Sequence, residues 1–374
     1  MEQTFLVDIE IKKVRHLENI TIPLDKNKRK HLILTGKNGS GKTSVLEAAV
    51  KYIQSFLGEQ DTSLDSAKRM YSGVTLNTTS NTMLQEKYQN GNFIFAYYKA
   101  EREFQVEEYK NIEKIEFQDK YSITENPGIK FTKYLVDLKA TQAFTKDKGK
   151  YEKIDRWFQV FEDILKKIFE DEKLQLKFND ETFQFSICVA NREDFDFNTM
   201  SSGYAAIFEI INDLIIRMEA KSGLRAEFDM EGVVLVDEIE THLHLELQKK
   251  ILPILTALFP NIQFIITTHS PFILSSLDNA VIYDLQNRTL VENGLENLPY
   301  EGIVEGYFKI DALSAELRGK FERYKDLVSK KELSDEEYEE IDKLKFYLDE
   351  IPDYLAKELT SEYSRLKLEF SNRE

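Results

Sequence analysis

Short apolar runs recur along this chain, separated by stretches in which polar and apolar residues alternate with the period of a strand or a helix. Phe5, Val7, Ile9 and Ile11 fall on one side of a period-two stretch whose other side carries Leu6, Asp8, Glu10 and Lys12. That spacing predicts a half-buried strand early in residues 4–24, a turn at Arg15–Glu18 and a second short strand at Asn19–Leu24. His31–Thr35, Phe93–Tyr98, Gly232–Val236 and Ile262–Thr268 are continuous apolar runs, the pattern of strands covered on both faces. Val45–Val50 has helix-forming composition, and its helix is expected to end near Phe56. Ile154, Trp157, Phe158, Phe161, Ile164, Leu165 and Ile168 recur at three- and four-residue spacings, which predicts a helix around 150–170 with a core-facing stripe. Leu174–Phe178 and Thr182–Val189 alternate across Asn179-Asp180-Glu181 as a hairpin, and Ala205–Met218 reads as helix. Residues 58–90, rich in Ser, Thr, Asn and Gln, read as loop with one short helix. Charged helices are expected at 312–330, 335–349 and 353–370, with a capping box at Ser334–Glu337 and a break at Ile351-Pro352. Strands interleaved with helices make this an α/β chain.

Composition narrows the class. The 374 residues are 42% hydrophobic and 31% charged, which suits a globular protein of one large domain or two, with inserts. No apolar run reaches the roughly 18 residues of a membrane span. The N-terminus lacks a basic-then-apolar signal segment, and Cys188 stands alone, so a cytoplasmic location is expected. A net charge of −16 argues against broad coating of nucleic acid. The basic stretch Lys26–Lys30 reads as a solvated turn before the His31 strand.

The candidate chemistry sits at the ends of the apolar runs. Gly36 to Thr43 reads G-x-x-x-x-G-K-T between a predicted strand and a predicted helix, the phosphate-loop pattern. Gly36, Gly39 and Gly41 permit backbone conformations that turn several N–H groups toward a phosphate. Lys42 is placed to reach the β- and γ-phosphates, and the Thr43 hydroxyl to bind magnesium. Met200-Ser-Ser-Gly-Tyr204 opens a helix with small residues, a second place where phosphate can be held, although Ser-Ser-Gly is also an ordinary cap. Gly232–Val236 ends in Asp237 and Glu238, suited to holding magnesium and to polarising an attacking water. His269-Ser-Pro271 follows the Ile262–Thr268 strand, where an imidazole could hydrogen-bond a γ-phosphate or that water. Ile239–His244 is expected to start a helix. On it the two-residue spacing of His242 and His244 points the rings apart and disfavours a metal pair. Arg102, after the Phe93–Tyr98 strand, reads as a surface salt bridge or as a nucleotide-network residue. Glu301–Gly306 superficially matches the first motif of a Toprim nuclease, but no Asp-x-Asp on an apolar strand accompanies it, and a built-in nuclease is rejected.

The order of phosphate loop, Ser-Ser-Gly helix start, Asp-Glu strand and His-after-strand resembles the ABC-type ATPase head shared by SMC-like, RecF-like and OLD-like proteins, over roughly residues 1–290. The resemblance implies a P-loop ATPase head, a mixed central sheet with flanking helices. Its lobes would be 1–103 and 191–300, with an inserted α+β subdomain at 104–190 and a helical tail at 301–374. It implies that Gly36, Lys37, Asn38, Gly39, Ser40, Gly41, Lys42, Thr43 and Ser44 bind ATP, with Thr43 and Asp237 on Mg2+ and with Glu238, His269 and Lys42 catalytic. It further implies a head-to-tail dimer or higher oligomer in which Ser201, Ser202 and Gly203 of one copy cap the ATP of the other. Two departures stand out: M-S-S-G-Y replaces L-S-G-G-Q, and no glutamine stands where the family's Q-loop belongs, Gln105 being a poor candidate. The D-E-I-E-T-H-L-H and T-T-H-S-P segments look like the AAA-family ATPases of bacterial anti-phage systems, of the Septu (PtuA-type) and retron-associated kinds. That implies a separately encoded effector, such as an HNH nuclease, with nucleic acid reached through the partner and no membrane. The competing reading is an SMC/RecF-like DNA-repair clamp with slow turnover. A small-molecule kinase would leave Ser201–Gly203 and His269 unexplained.

Overall fold

The structure is a computed structural model that describes residues 3–59, 73–102, 112–190, 192–224, 226–292, 295, 315–330, 333–349 and 357–371. In chain order it contains β1 Leu6–Val14, β2 Leu17–Pro23, β3 His31–Thr35, α1 Lys42–Leu57, β4 Val74–Thr78, α2 Asn81–Gln89 and β5 Phe93–Tyr98. There follow α3 Phe131–Phe144, α4 Lys148–Phe169, β6 Gln175–Asn179, β7 Gln184–Cys188, α5 Ser202–Ser222, β8 Glu231–Val236 and α6 Leu245–Leu258. The series closes with β9 Ile262–Thr267, α7 Pro271–Leu274, β10 Ala280–Asp284, β11 Thr289–Val291, α8 Ala315–Ser329, α9 Asp335–Asp349 and α10 Lys357–Ser371.

The apolar runs line up in one six-stranded sheet of order β11-β10-β3-β9-β8-β5. All its pairings are parallel except that of the edge strand β11. Strands covered on both faces need side chains that tolerate burial at every position, which is why β3, β9 and β10 are buried throughout. Parallel pairing also sends the C-terminal ends of β3, β5, β8 and β9 to the same edge, so the segments after them gather there. β9 lies between β3 and β8, so the phosphate-loop strand and the Asp-Glu strand are not neighbours.

A second, antiparallel sheet of order β2-β1-β4 packs its inner face on α1. Ile9, Ile11, Ile20 and Ile22 meet Val45, Leu46 and Ile53 of that helix, whose other neighbours include Leu32, Leu34 and Ile265 of the parallel sheet. Leu6 departs from the expected alternation: it is 1% exposed although its parity assigns it to the polar face. The pairing of β1 with β4 slips between Leu6 and Asp8, and such a bulge turns one residue to the opposite face. Gln263 fixes the turned backbone, donating from Nε2 to the Leu6 carbonyl at 3.0 Å and accepting the Leu6 N–H at 2.7 Å. α3, β4, β10 and β11 stand outside the expected elements; β4 occupies the polar stretch read as loop, and only Val74 and Leu76 mark its buried side.

Between β5 and α5 the chain forms α3, α4 and the β6–β7 hairpin. The Ile154–Ile168 stripe is buried, and Trp157 packs against Phe131, Tyr134 and Phe161 while donating its indole N–H to Glu219 at 2.8 Å. The helix α5 is buried along most of its length. On it Asp213 accepts from Tyr98 Oη at 2.5 Å and pairs with Arg217 at 2.7 Å.

Residues Pro299–Glu374 form a separate unit. There α8, α9 and α10 share a core of Phe321, Tyr324, Leu327, Ile341, Leu348 and Tyr363. Ser334 and Glu337 make the reciprocal capping bonds, the Ser334 N–H donating to Glu337 at 2.9 Å and the Glu337 N–H to Ser334 Oγ at 3.4 Å. Gln105, Glu301–Gly306, Ile351-Pro352 and the expected helix starts at 312 and 353 lie outside the described residues. Among the described residues no helix is long and apolar enough to cross a membrane.

Candidate functional site

The loop after β3 is shaped by its glycines. Gly36, Gly39 and Gly41 have φ of 137°, 82° and 100°, a region that penalises any side chain. A Cβ on Gly41 would also lie 2.9 Å from Leu17 Cδ1, so the tip of the antiparallel sheet closes one side of the loop. Gly41 is the N-cap of α1 and supplies no side-chain acceptor, which leaves the helix N-terminus turned to whatever the loop encloses. Lys37, Asn38, Gly39 and Thr43 are exposed, Ser44 is half-buried, and Ser40 and Lys42 are buried.

Lys42 points back across its own loop, donating to the carbonyls of Gly36 at 2.9 Å and Lys37 at 3.4 Å. Its ammonium lies 3.5 Å from His269 Nδ1. Burial lowers the lysine pKa, while Glu238, Glu240, Asp237 and Asp284 all favour its charged form. One buried cation thus faces four carboxylates from the ends of β8 and β10 and the turn after β8.

At the end of β8, Asp237 is 2% exposed and its carboxylate accepts from Thr267 Oγ1 at 2.5 Å. The same oxygen of Thr267 accepts the Glu238 N–H at 2.7 Å, so one hydroxyl from β9 orients both acidic residues. Glu238 has φ 43°, a left-handed conformation that costs a non-glycine residue on the order of 1 kcal/mol. Its carbonyl is held from the other side by Arg102. That guanidinium is buried and donates to the carbonyls of Asp237 at 3.0 Å, Glu238 at 3.1 Å, Ile239 at 3.2 Å and Lys99 at 3.2 Å. Arg102 is therefore neither a surface salt bridge nor a group turned toward a nucleotide; it clamps the backbone of the acidic turn.

His269 follows β9, and its N–H donates to the Glu240 carboxylate. Its Nε2 lies 4.0 Å from Glu238 Oε1. Burial, and then the charge of Lys42, lower its pKa, which favours the neutral ring. An ammonium can only donate, so Nδ1 facing Lys42 is the acceptor and the ring proton sits on Nε2, toward Glu238.

The helix expected from Ile239 begins only at Leu245. Residues 239–244 form two tight turns, in which Thr241 N–H donates to Glu238 O and Leu243 N–H to Glu240 O, both at 2.9 Å. Two left-handed residues, Glu238 and His242 (φ 68°), break the helical path. His242 and His244 are exposed, and among the described residues no cluster of three or more His, Cys, Asp or Glu is placed to hold a metal ion.

The structure thus brings together Lys42, Asp237, Glu238 and His269. It gives Ser201–Gly203 different neighbours. Ser201 caps α5 without a side-chain bond, Ser201 and Ser202 are exposed, and a Cβ on Gly203 would stand 3.1 Å from the His242 carbonyl. Tyr204 packs tilted against Phe169, ring centroids 4.3 Å apart, and meets His244 edge-on at 6.5 Å. Thr267 and Glu240 escaped sequence reasoning, and Arg102 was singled out without its backbone-clamping role, because each acts through contacts remote in the chain. A cleft of about 420 Å3 beside the loop, lined by His16, Leu17, Lys37, Asn38, Gln286 and Arg288 among others, escaped it as well.

A family model described as "AAA domain, putative AbiEii toxin, Type IV TA system" matches residues 189–275, the stretch that carries Ser201–Gly203, Asp237, Glu238 and His269. The chain is 26% identical to the Septu protein PtuA of Bacillus mycoides over 92% of its own length, and it spans 50% of that relative. It is 33% identical to the retron Ec83 probable ATPase of Escherichia coli over 30% of the chain and 21% of the relative. An SMC head solved with the C-terminal winged-helix domain of ScpA aligns with 79% of the chain and 98% of its own length, at 14% identity and a TM-score of 0.41. With the phosphate loop on a central strand of a parallel sheet and the acidic pair and histidine at the ends of neighbouring strands, the chain is similar to the Septu protein PtuA and to a retron probable ATPase, and it spans half or less of the length of these relatives.

Proposed function

We propose that this chain binds and hydrolyses ATP with Mg2+ at the ends of β3, β8 and β9, as one half of a head-to-tail pair that gates a separately encoded effector in anti-phage defence. The observation that carries the reading is the meeting of Lys42, His269 and Glu238 within 3.5 Å and 4.0 Å contacts across three strands. The loop N–H groups, the start of α1 and Lys42 are suited to a triphosphate. The protein side of a divalent-cation site would be sparse, as suits an ion that keeps waters and phosphate oxygens, since no cluster of three or more His, Cys, Asp or Glu among the described residues is placed to hold one. Thr43 and Asp237 would hold that cation, which when bound offsets phosphate charge. Glu238 is the residue to draw a proton from the attacking water, and the Nε2–H of neutral His269 is the donor to the terminal phosphate. Ser201, Ser202 and Gly203, exposed or next to the 239–244 turns, would reach the nucleotide of a second copy.

The effector, an HNH nuclease or similar, and a cytoplasmic site of action are inferred from the kinship with Septu and retron ATPases. The DNA-clamp reading keeps only Lys26 and Lys28 of the basic turn as exposed cations. Arg29 donates to the carbonyl of Asn261 at 3.1 Å and to that of Pro260, and Lys30 donates to Glu292 O at 2.7 Å, so these cations fasten strand ends.

The test is phosphate release and native mass spectrometry on the wild type and Glu238→Gln, alone and co-expressed with the flanking genes. The variant is expected to keep ATP affinity, lose at least ~100-fold in turnover and accumulate as an ATP-bound pair. Normal turnover in the variant removes Glu238 from the chemistry. A bare ATP-dependent dimer with no nuclease bound transfers the reading to the clamp.

A further inference from the structure

Arg102 and Glu209 are two ionisable groups inside the fold that the proposed chemistry does not use, and they make no ion pair with each other in this structure. The guanidinium, 7% exposed, spends its Nη groups on four carbonyls, three of them on the consecutive residues Asp237, Glu238 and Ile239. None of these acceptors is a carboxylate. The largest opposing charge acting on it is Glu209, two turns into the helix that begins at Ser202. Arg102 Nε and Glu209 Oε2 are both buried without a hydrogen-bond partner, a donor and an acceptor each lacking a mate. Unpaired buried polar groups are costly, and a bond between this donor and this acceptor would remove both penalties. Glu209 lies on α5, whose start carries Ser202 and Gly203, whereas Arg102 holds the carbonyls of the left-handed Glu238 turn.

We propose that Arg102 is a positioning residue for Glu238, and that closure of an Arg102–Glu209 bond couples the Ser202 end of α5 to the geometry of that turn. The inference rests on hydrolysis at this site. A lysine keeps the charge but cannot bridge consecutive carbonyls as a planar fork does. Glu209→Gln keeps the shape and removes the carboxylate, so kcat is read at about pH 8, above the value of about 7 to which burial raises that carboxyl.

The experiment measures kcat and KM for Mg-ATP, affinity for a fluorescent ATP analogue and melting temperature in the full chain. The proteins compared are the wild type, Arg102→Lys, Glu209→Gln and the double variant. Arg102→Lys is expected to lower kcat at least ~10-fold while nucleotide affinity stays within ~2-fold, and Glu209→Gln to lower kcat ~3-fold. The double variant should lose no more than Arg102→Lys, because both act through one bond. Unchanged kcat in Arg102→Lys, a parallel loss of affinity and kcat, or additive losses would each overturn the coupling while leaving the ATPase reading intact. If Arg102→Lys does not fold, the kcat of Glu209→Gln decides: wild-type turnover there overturns the coupling. A wild type without ATP turnover sinks both the reading and this inference.

Discussion

The phosphate loop and the acidic turn face each other across β9, and they are built in opposite ways. In the loop, residues within eight positions of one another do everything: Gly36, Gly39 and Gly41 set the path, and Lys42 donates to the carbonyls of Gly36 and Lys37. At the acidic turn, a glutamate sits in a conformation that favours glycine, held by Thr267, 29 positions away, and Arg102, 136 positions away. A site made of local backbone is carried by its own residue types. A site made of strained backbone depends on the fold around it.

That contrast can be pressed hardest at Lys42. Lys42→Ala removes the loop cation on which four carboxylates act and is expected to weaken ATP-analogue binding at least ~100-fold, with the melting temperature nearly unchanged. Retained affinity would mean that the loop backbone alone holds the phosphates. Thr267→Val comes next. It deletes the hydroxyl shared by Asp237 and Glu238, and we expect kcat to fall ~10-fold with a stability loss of ~1–3 kcal/mol read by denaturant unfolding. A loss of nucleotide affinity equal to the loss in kcat would show that the turn is not separable from the loop.

The smallest effect concerns pH. Burial is the main cause that raises the Glu209 carboxyl from 4.5 to about 7, with Arg102 opposing and Asp213 adding to the shift. The folded chain therefore keeps a proton that the unfolded chain releases between those values. The stability this proton contributes is complete below 4.5 and is lost as pH rises through about 7. Glu209→Gln should gain in melting temperature relative to the wild type between about pH 5 and about pH 8. A difference that stays flat across that range would place the Glu209 carboxyl in the ordinary range.

The chain's own pattern revealed the parallel strands β3, β5, β8 and β9, because doubly buried strands must be apolar at every position. It also showed Gly36–Thr43, because phosphate-loop geometry restricts residue types within one turn. β4 and Leu6 were misread for different reasons: β4 is an edge strand with only Val74 and Leu76 to mark it, and a bulge in the central strand β1 breaks the alternation at Leu6. Arg102 shows the limit most clearly. An arginine after a strand carries no local sign of whether it meets solvent, a ligand or backbone, and only the packing of β5 beside β8 brings it to three consecutive carbonyls. Residue type, then, determined where phosphate chemistry can occur, since glycines, a lysine and paired carboxylates are needed within short spans. Tertiary structure alone decided which remote groups hold Glu238 in place. A left-handed glutamate has no local cause, and the hydrogen bonds that stabilise it come from strands the chain reaches only by folding.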